Sequence, residues 1–127
     1  MKQIISTTKA PAAIGPYSQA VMANHMLFTS GQLPIDPKTG EMPSTIEEQT
    51  KQSLENVKAI LEGVGVPLEN IIKTTVFLSD MNDFGAMNQV YQSYFSGNFP
   101  ARSAVEVARL PKDAKVEIEA IAAIEKG

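Results

Sequence analysis

The spacing of apolar residues along this chain changes several times, and each change marks an element. Ile4 and Ile5 predict a short first strand. Pro11, Gly15 and Pro16 interrupt regular structure and predict a defined loop. Tyr17–Met22 and Met26–Ser30 are rich in aromatic, β-branched and apolar residues, with Asn24-His25 between them at the turn of a hairpin. Folding about that turn places Tyr17 nearly opposite Ser30 and Gly31, and a slip of one residue would exchange the faces of all these side chains.

Ser44 or Thr45 opens a helix, with Glu47 or Glu48 three residues later as the other half of a capping box. Leu54, Val57, Leu61 and Val64 form its apolar stripe, and Gly63 and Gly65 end it. IIKTTVFLSD reads as a mostly buried strand. Asp80, Asn82 or Asp83 caps a second helix with Phe84, Met87, Tyr91 and Tyr94 on its apolar face, stopped by Gly97. ARSAVEV and KVEIEAIAAI are the last two strands. In the first, Arg102, Ala104 and Glu106 oppose Ala101, Ser103, Val105 and Val107; in the second, Glu117, Glu119, Ile121 and Ala123 oppose Val116, Ile118, Ala120 and Ala122.

This order predicts an α+β fold, a mixed β-sheet backed by two helices on one face, as one domain over residues 1–127. The second face, expected to carry Arg102 and Glu117 beside apolar Ile121, calls for a partner subunit. Composition narrows the function. With 43% hydrophobic residues in 127, one core is expected. A net charge of −3 gives no general attraction to a phosphate backbone, so nucleic acid is not an expected partner. The chain has no cysteine, which removes disulfides, zinc-thiolate sites and thiol nucleophiles. No apolar run approaches the roughly 20 residues of a membrane span, and MKQIISTTKAPAA lacks the apolar core of a signal peptide. A cytoplasmic protein is expected.

Arg102, Glu117 and Glu119 sit in otherwise apolar strands, where ionised groups need partners or ligands. An arginine fork grips a carboxylate, and a glutamate orients a water and takes its proton. Spacing alone favours the plainer alternative, a structural ion pair of Arg102 with Glu106, Glu117 or Glu119. Tyr17 and Ser30 offer a hydroxyl pair, although the residues alone favour packing and backbone hydrogen bonding for them. Gly31 permits close backbone approach to a ligand. His25, the single histidine, reads as an exposed turn residue, and no metal-binding or nucleotide-binding motif is present. The residues by themselves lead to a small-acid binder or a structural oligomer.

Five segments, APAAIGPYSQA, FTSGQLPIDPKTGE, QSLENVKAILEGVG, IIKTTVFLSDMNDF and PARSAVEVARLPKDAKVEIEAIA, resemble the RidA (reactive intermediate deaminase A) family in the family's order and cover nearly the whole chain. The resemblance implies a chorismate-mutase-like fold assembled as a homotrimer with clefts between subunits. It implies hydrolysis of 2-enamine and 2-imino acids, such as the 2-iminobutyrate released by threonine dehydratase, to 2-oxo acids and ammonia, with no cofactor and no metal. By position, Arg102 would hold the substrate carboxylate and Glu117 would position or activate water. Tyr17 and Ser30 would line the cleft and aid proton transfer, the backbone near Gly31 and Ala104 would contact the ligand, and Asn88 would support it. Many relatives carry cysteine where this chain has Ala104, so a backbone role survives there and a thiol role does not. Strand alternation places Glu117 and Glu119 on one face; only the family position distinguishes them. Two other functions stay open: a non-catalytic regulatory trimer that binds 2-oxo acids, and an RNA-cleaving translation inhibitor, which the acidic balance disfavours.

Overall fold

In the computed structural model, which describes residues 1–124, the Asn24-His25 dipeptide reverses the chain as predicted. Both residues have positive φ, 50° and 61°. This is the conformation of a two-residue type I′ turn, whose twist matches that of its strands. β2 (Ala20–Ala23) and β3 (Met26–Thr29) pair across it, Ala23 with Met26 and Ala20 with Thr29, and β1 (Gln3–Ile5) adds to the outer edge of β2. β2 begins at Ala20 rather than at Tyr17. The buried Gln19 side chain pins the preceding loop, accepting from Thr7 N–H at 2.6 Å and donating to the carbonyls of Thr7, Ala10 and Pro11. Tyr17 N–H closes a tight turn on the Gly15 carbonyl at 2.9 Å. Residues 17–19 therefore lie largely outside the ladder.

α1 (Ile46–Glu62) is capped by Thr45, whose Oγ1 accepts from Glu48 N–H at 3.1 Å and donates to Glu48 Oε1 at 3.0 Å. At its other end Gly65 adopts φ 72°; Gly65 N–H bonds Glu62 O and Val66 N–H bonds Leu61 O, the paired bonds of a Schellman motif. β4 (Ile71–Leu78) leads through a 3₁₀ turn, capped by Asp80, into α2 (Phe84–Gln92), then β5 (Ala101–Glu106) and β6 (Val116–Ala123). α2 stops before the predicted Gly97; its cap residue Ser93 instead donates its hydroxyl to Val90 O.

The sheet order is β1-β2-β3-β6-β4-β5, antiparallel except for the parallel β4–β5 pair joined by the α2 crossover. The predicted mixed sheet with two helices is thus the observed architecture. Leu54, Val57, Ile60 and Leu61 of α1 and Met87 and Tyr91 of α2 are buried with Leu27, Val76, Leu78, Val116 and Ile118 of the sheet. Phe28, Phe77, Val105 and Ile121 occupy the opposite face with Lys73, Glu117 and Glu119; none of these seven is buried. No helix among the described residues is long and apolar enough to cross a membrane.

Two departures from the sequence reading shape the site. Arg102 does not share the open face with Glu117. β5 lies parallel to β4 with Arg102 opposite Thr74, and Thr74 points into the core, so Arg102, Ala104 and Glu106 face the helices. In addition, β3 carries an extra residue. Phe28 pairs with Ile121 but Gln32 bridges Ile118, four steps along one strand against three along the other. The surplus lies at Thr29–Gly31, where Thr29 Oγ1 accepts from Ala120 N–H at 3.0 Å in place of a ladder bond.

Candidate functional site

The register of β5 beside β4 puts Arg102 under α2. Phe84, Asn88 and Tyr91, at i, i+4 and i+7, form one helical stripe turned toward it. Arg102 Nη1 donates to Asn88 Oδ1 at 2.6 Å. The guanidinium carbon lies 4.8 Å from the Tyr91 ring centroid and 5.3 Å from that of Phe84. Tyr91 in turn is fixed by a 2.6 Å hydrogen bond between its hydroxyl and Thr74 Oγ1. Burial pushes the Tyr91 hydroxyl above its usual pKa, so it stays neutral beside the cation.

The ion pair favoured by spacing is not what Arg102 makes. Glu106, on its own strand and face, accepts from Met81 N–H at 2.7 Å instead, and Glu117 and Glu119 lie on the other side of the sheet. Arg102 is bonded to a neutral amide and borders a cavity of about 350 Å³, lined also by Asn88, Tyr91, Gln92, Phe99 and Pro100. A cation held this way retains donors for a planar anion. Gln92, Phe99 and Pro100 were not singled out by the sequence. Ala104 lies two residues along β5 from Arg102 on the same face, partly buried against the core.

A second cluster forms where β3 bulges beside β6. The Glu117 side chain crosses directly over Gly31: a Cβ on Gly31 would overlap Glu117 Oε2 and lie 2.8 Å from Cδ and 3.1 Å from Cγ. Ser30 N–H bonds Gln19 O at 2.8 Å, and its hydroxyl donates to Ser18 O at 2.5 Å. Tyr17, the residue before Ser18, is 52% exposed. Burial, with the charge of Glu119 adding to it, raises the Glu117 pKa above the ordinary glutamate value. Glu119 occupies a different spot on that face, a hollow of about 110 Å³ shared with Phe28, Thr29, Lys73, Thr75 and Ile121. The two glutamates that alternation could not tell apart thus have separate surroundings.

Within one chain the two clusters do not meet. Arg102 is level with Thr74 and Glu117 with Phe77, and β4 lies between their strands. Strand spacing and rise put their backbones about 10 Å apart across the sheet and about 10 Å along it. Their side chains also leave opposite faces. Among the described residues, no group of three or more His, Cys, Asp or Glu side chains could hold a metal ion.

Comparison with known proteins places this geometry in context. The family described as endoribonuclease L-PSP matches residues 7–124. A protein of Escherichia coli named 2-iminobutanoate/2-iminopropanoate deaminase is 56% identical over 125 residues, covering 96% of this chain and 98% of that protein. A RutC family protein of Pasteurella multocida is 60% identical over 126 residues, covering 96% and 98%. The crystal structure of Escherichia coli TdcF with bound serine is similar at a TM-score of 0.94, with 52% identity across 97% of this chain and 99% of that one. Yeast Mmf1 is similar at a TM-score of 0.94 with 41% identity, covering 98% and 100%.

Proposed function

The chain belongs to the endoribonuclease L-PSP family, the RidA family of the sequence resemblance, and from that premise we propose that it hydrolyses 2-imino acids and their enamine tautomers to 2-oxo acids and ammonia. The observation that carries the reading is an arginine bonded to an amide and bordering a cavity, while the Glu117 carboxyl crosses over Gly31 on the opposite face of the same sheet. Relatives named as 2-iminobutanoate/2-iminopropanoate deaminases support the same chemistry.

On this reading Arg102 holds the substrate carboxylate, with Asn88 supporting it and the backbone of Ala104 alongside. Glu117 takes a proton from water as its oxygen attacks the C=N carbon, and the nitrogen gains a proton. Collapse of the resulting carbinolamine forms the 2-oxo acid and expels ammonia. Tyr17 and Ser30 assist proton transfer at the rim, and Gly31 lets the ligand and the Glu117 carboxylate approach. Docking, a positioned water and proton transfer suffice for a reaction of this kind.

Because Arg102 and Glu117 point away from each other in one chain, the site is completed between neighbouring subunits of a homotrimer, in the chorismate-mutase-like arrangement. The apolar residues of the open face are covered there. Each subunit is one domain over residues 1–127, working in the cytoplasm without cofactor or metal.

Coupling the protein to a threonine dehydratase and following imine loss and ammonia release tests the activity; no acceleration over buffer overturns it. Binding of 2-oxobutyrate without acceleration would point to the regulatory trimer instead. Co-expressing Arg102→Ala with Glu117→Gln tests the shared site. Random mixing of two inactive chains should restore about one quarter of wild-type activity, because one interface in four pairs both intact residues. No restoration rules out the shared cleft.

The acid limb of kcat/KM should lie above the ordinary glutamate value, since Glu117 must lose its proton to act. Glu119→Gln removes a negative charge that raises the Glu117 pKa, so it should move that limb to lower pH. An unmoved limb would assign it to another group.

A further inference from the structure

We propose that Tyr91 is a positioning residue for Arg102, its ring serving as a plate that holds the guanidinium in the orientation that receives a carboxylate, with Thr74 locking the plate. The inference rests on the deaminase reading for the identity of the ligand; the placement itself rests on geometry.

Arg102 has a single hydrogen bond to another side chain among the described residues, Nη1 to Asn88 Oδ1. One such bond leaves a long side chain free to swing about it, and an arginine carries substantial rotamer entropy. The face of Tyr91, 4.8 Å from the guanidinium carbon, removes that freedom by attracting the cation and blocking one side. The ring cannot easily turn aside. It is 4% exposed, and its hydroxyl is bonded at 2.6 Å to Thr74, itself 1% exposed. Thr74 is also the register partner of Arg102 on the adjacent strand, so plate, lock and guanidinium share one level of the sheet. Phe84, at 5.3 Å, adds a second aromatic surface but has no comparable tether.

The chain's other arginine, Arg109, is exposed and supplies an internal reference. In wild-type protein the Arg102 side-chain N–H resonances, assigned by their loss in Arg102→Lys, should lie upfield of those of Arg109 through the ring current. Tyr91→Leu should move them to the Arg109 position and raise both KM for 2-iminobutyrate and Kd for 2-oxobutyrate about tenfold, with a smaller change in kcat. The double variant Tyr91→Phe/Thr74→Val keeps the plate and removes both buried hydroxyls together. It should recover part of the lost affinity and keep an upfield shift smaller than that of wild type, the remainder being the share of the Thr74 lock. A general loss of packing would not divide the effects in this way. Coincident Arg102 and Arg109 resonances in wild type overturn the proposal even if Tyr91→Leu fails to fold, and so does unchanged 2-oxobutyrate affinity in a folded Tyr91→Leu. If wild type does not accelerate 2-iminobutyrate loss over buffer, the deaminase reading falls, and the resonances still decide where Arg102 is held.

Discussion

Arg102→Ala should reduce kcat/KM for 2-iminobutyrate by about two to three orders of magnitude, the range expected when one partner of a desolvated, hydrogen-bonded charge pair is removed. Nothing nearby replaces it. Asn88 keeps the receptor end of a lost hydrogen bond, and Tyr91 and Phe84 present only ring faces. Arg102→Lys retains the charge but not the fork, and should fall between the two. The dehydratase-coupled assay reads these losses directly. Because the fold depends on the Leu54–Ile118 side of the core rather than on Arg102, the variant should unfold at nearly the wild-type urea midpoint. Full activity in a folded Arg102→Ala protein would remove Arg102 from the site.

Gly31→Ala should be almost as damaging as loss of the glutamate itself. The added Cβ meets Glu117 Oε2 and lies 2.8 Å from Cδ, so the carboxyl must leave its position. Removing general acid–base assistance reduces rates by about 10²- to 10⁴-fold, and a displacement of about 1 Å costs about 10²-fold. We therefore expect Gly31→Ala to lower kcat by about 10²-fold and Glu117→Gln by at least as much. The combined variant should be no worse than Glu117→Gln, since both changes act on the same group. Additive losses would mean that Gly31 serves the ligand through its own backbone, independently of Glu117.

The local parts of this structure could be read from residue types. Asn24 and His25 tolerate positive φ, Thr45 and Glu48 form the predicted cap pair, and Gly65 closes α1, all through interactions spanning a few residues. The face of Arg102 could not. The more apolar side of β5, Ala101, Ser103 and Val105, is the exposed one, so periodicity points to the wrong inward face. Its orientation comes from parallel pairing with Thr74, a contact between strands separated by α2. The surplus residue at Thr29–Gly31 was similarly hidden, because a bulge appears only when two strands are compared. Gly31 was recognised as a point of close approach, but the group that approaches it within the chain is Glu117. Tyr91 was placed correctly on the inner face of α2. Spacing also puts Phe84, Asn88 and Tyr91 on one stripe; a pattern of two aromatics around an amide is the visible trace of a seat for a cation.

Arg102 and Glu117 departing from opposite faces also keeps two complementary charges from finding each other inside the chain. The sheet between them leaves no route within one chain by which the guanidinium could be neutralised by that carboxylate. The thickness of the sheet acts as a separator between two electrodes, leaving one chain with a grip it cannot close on itself.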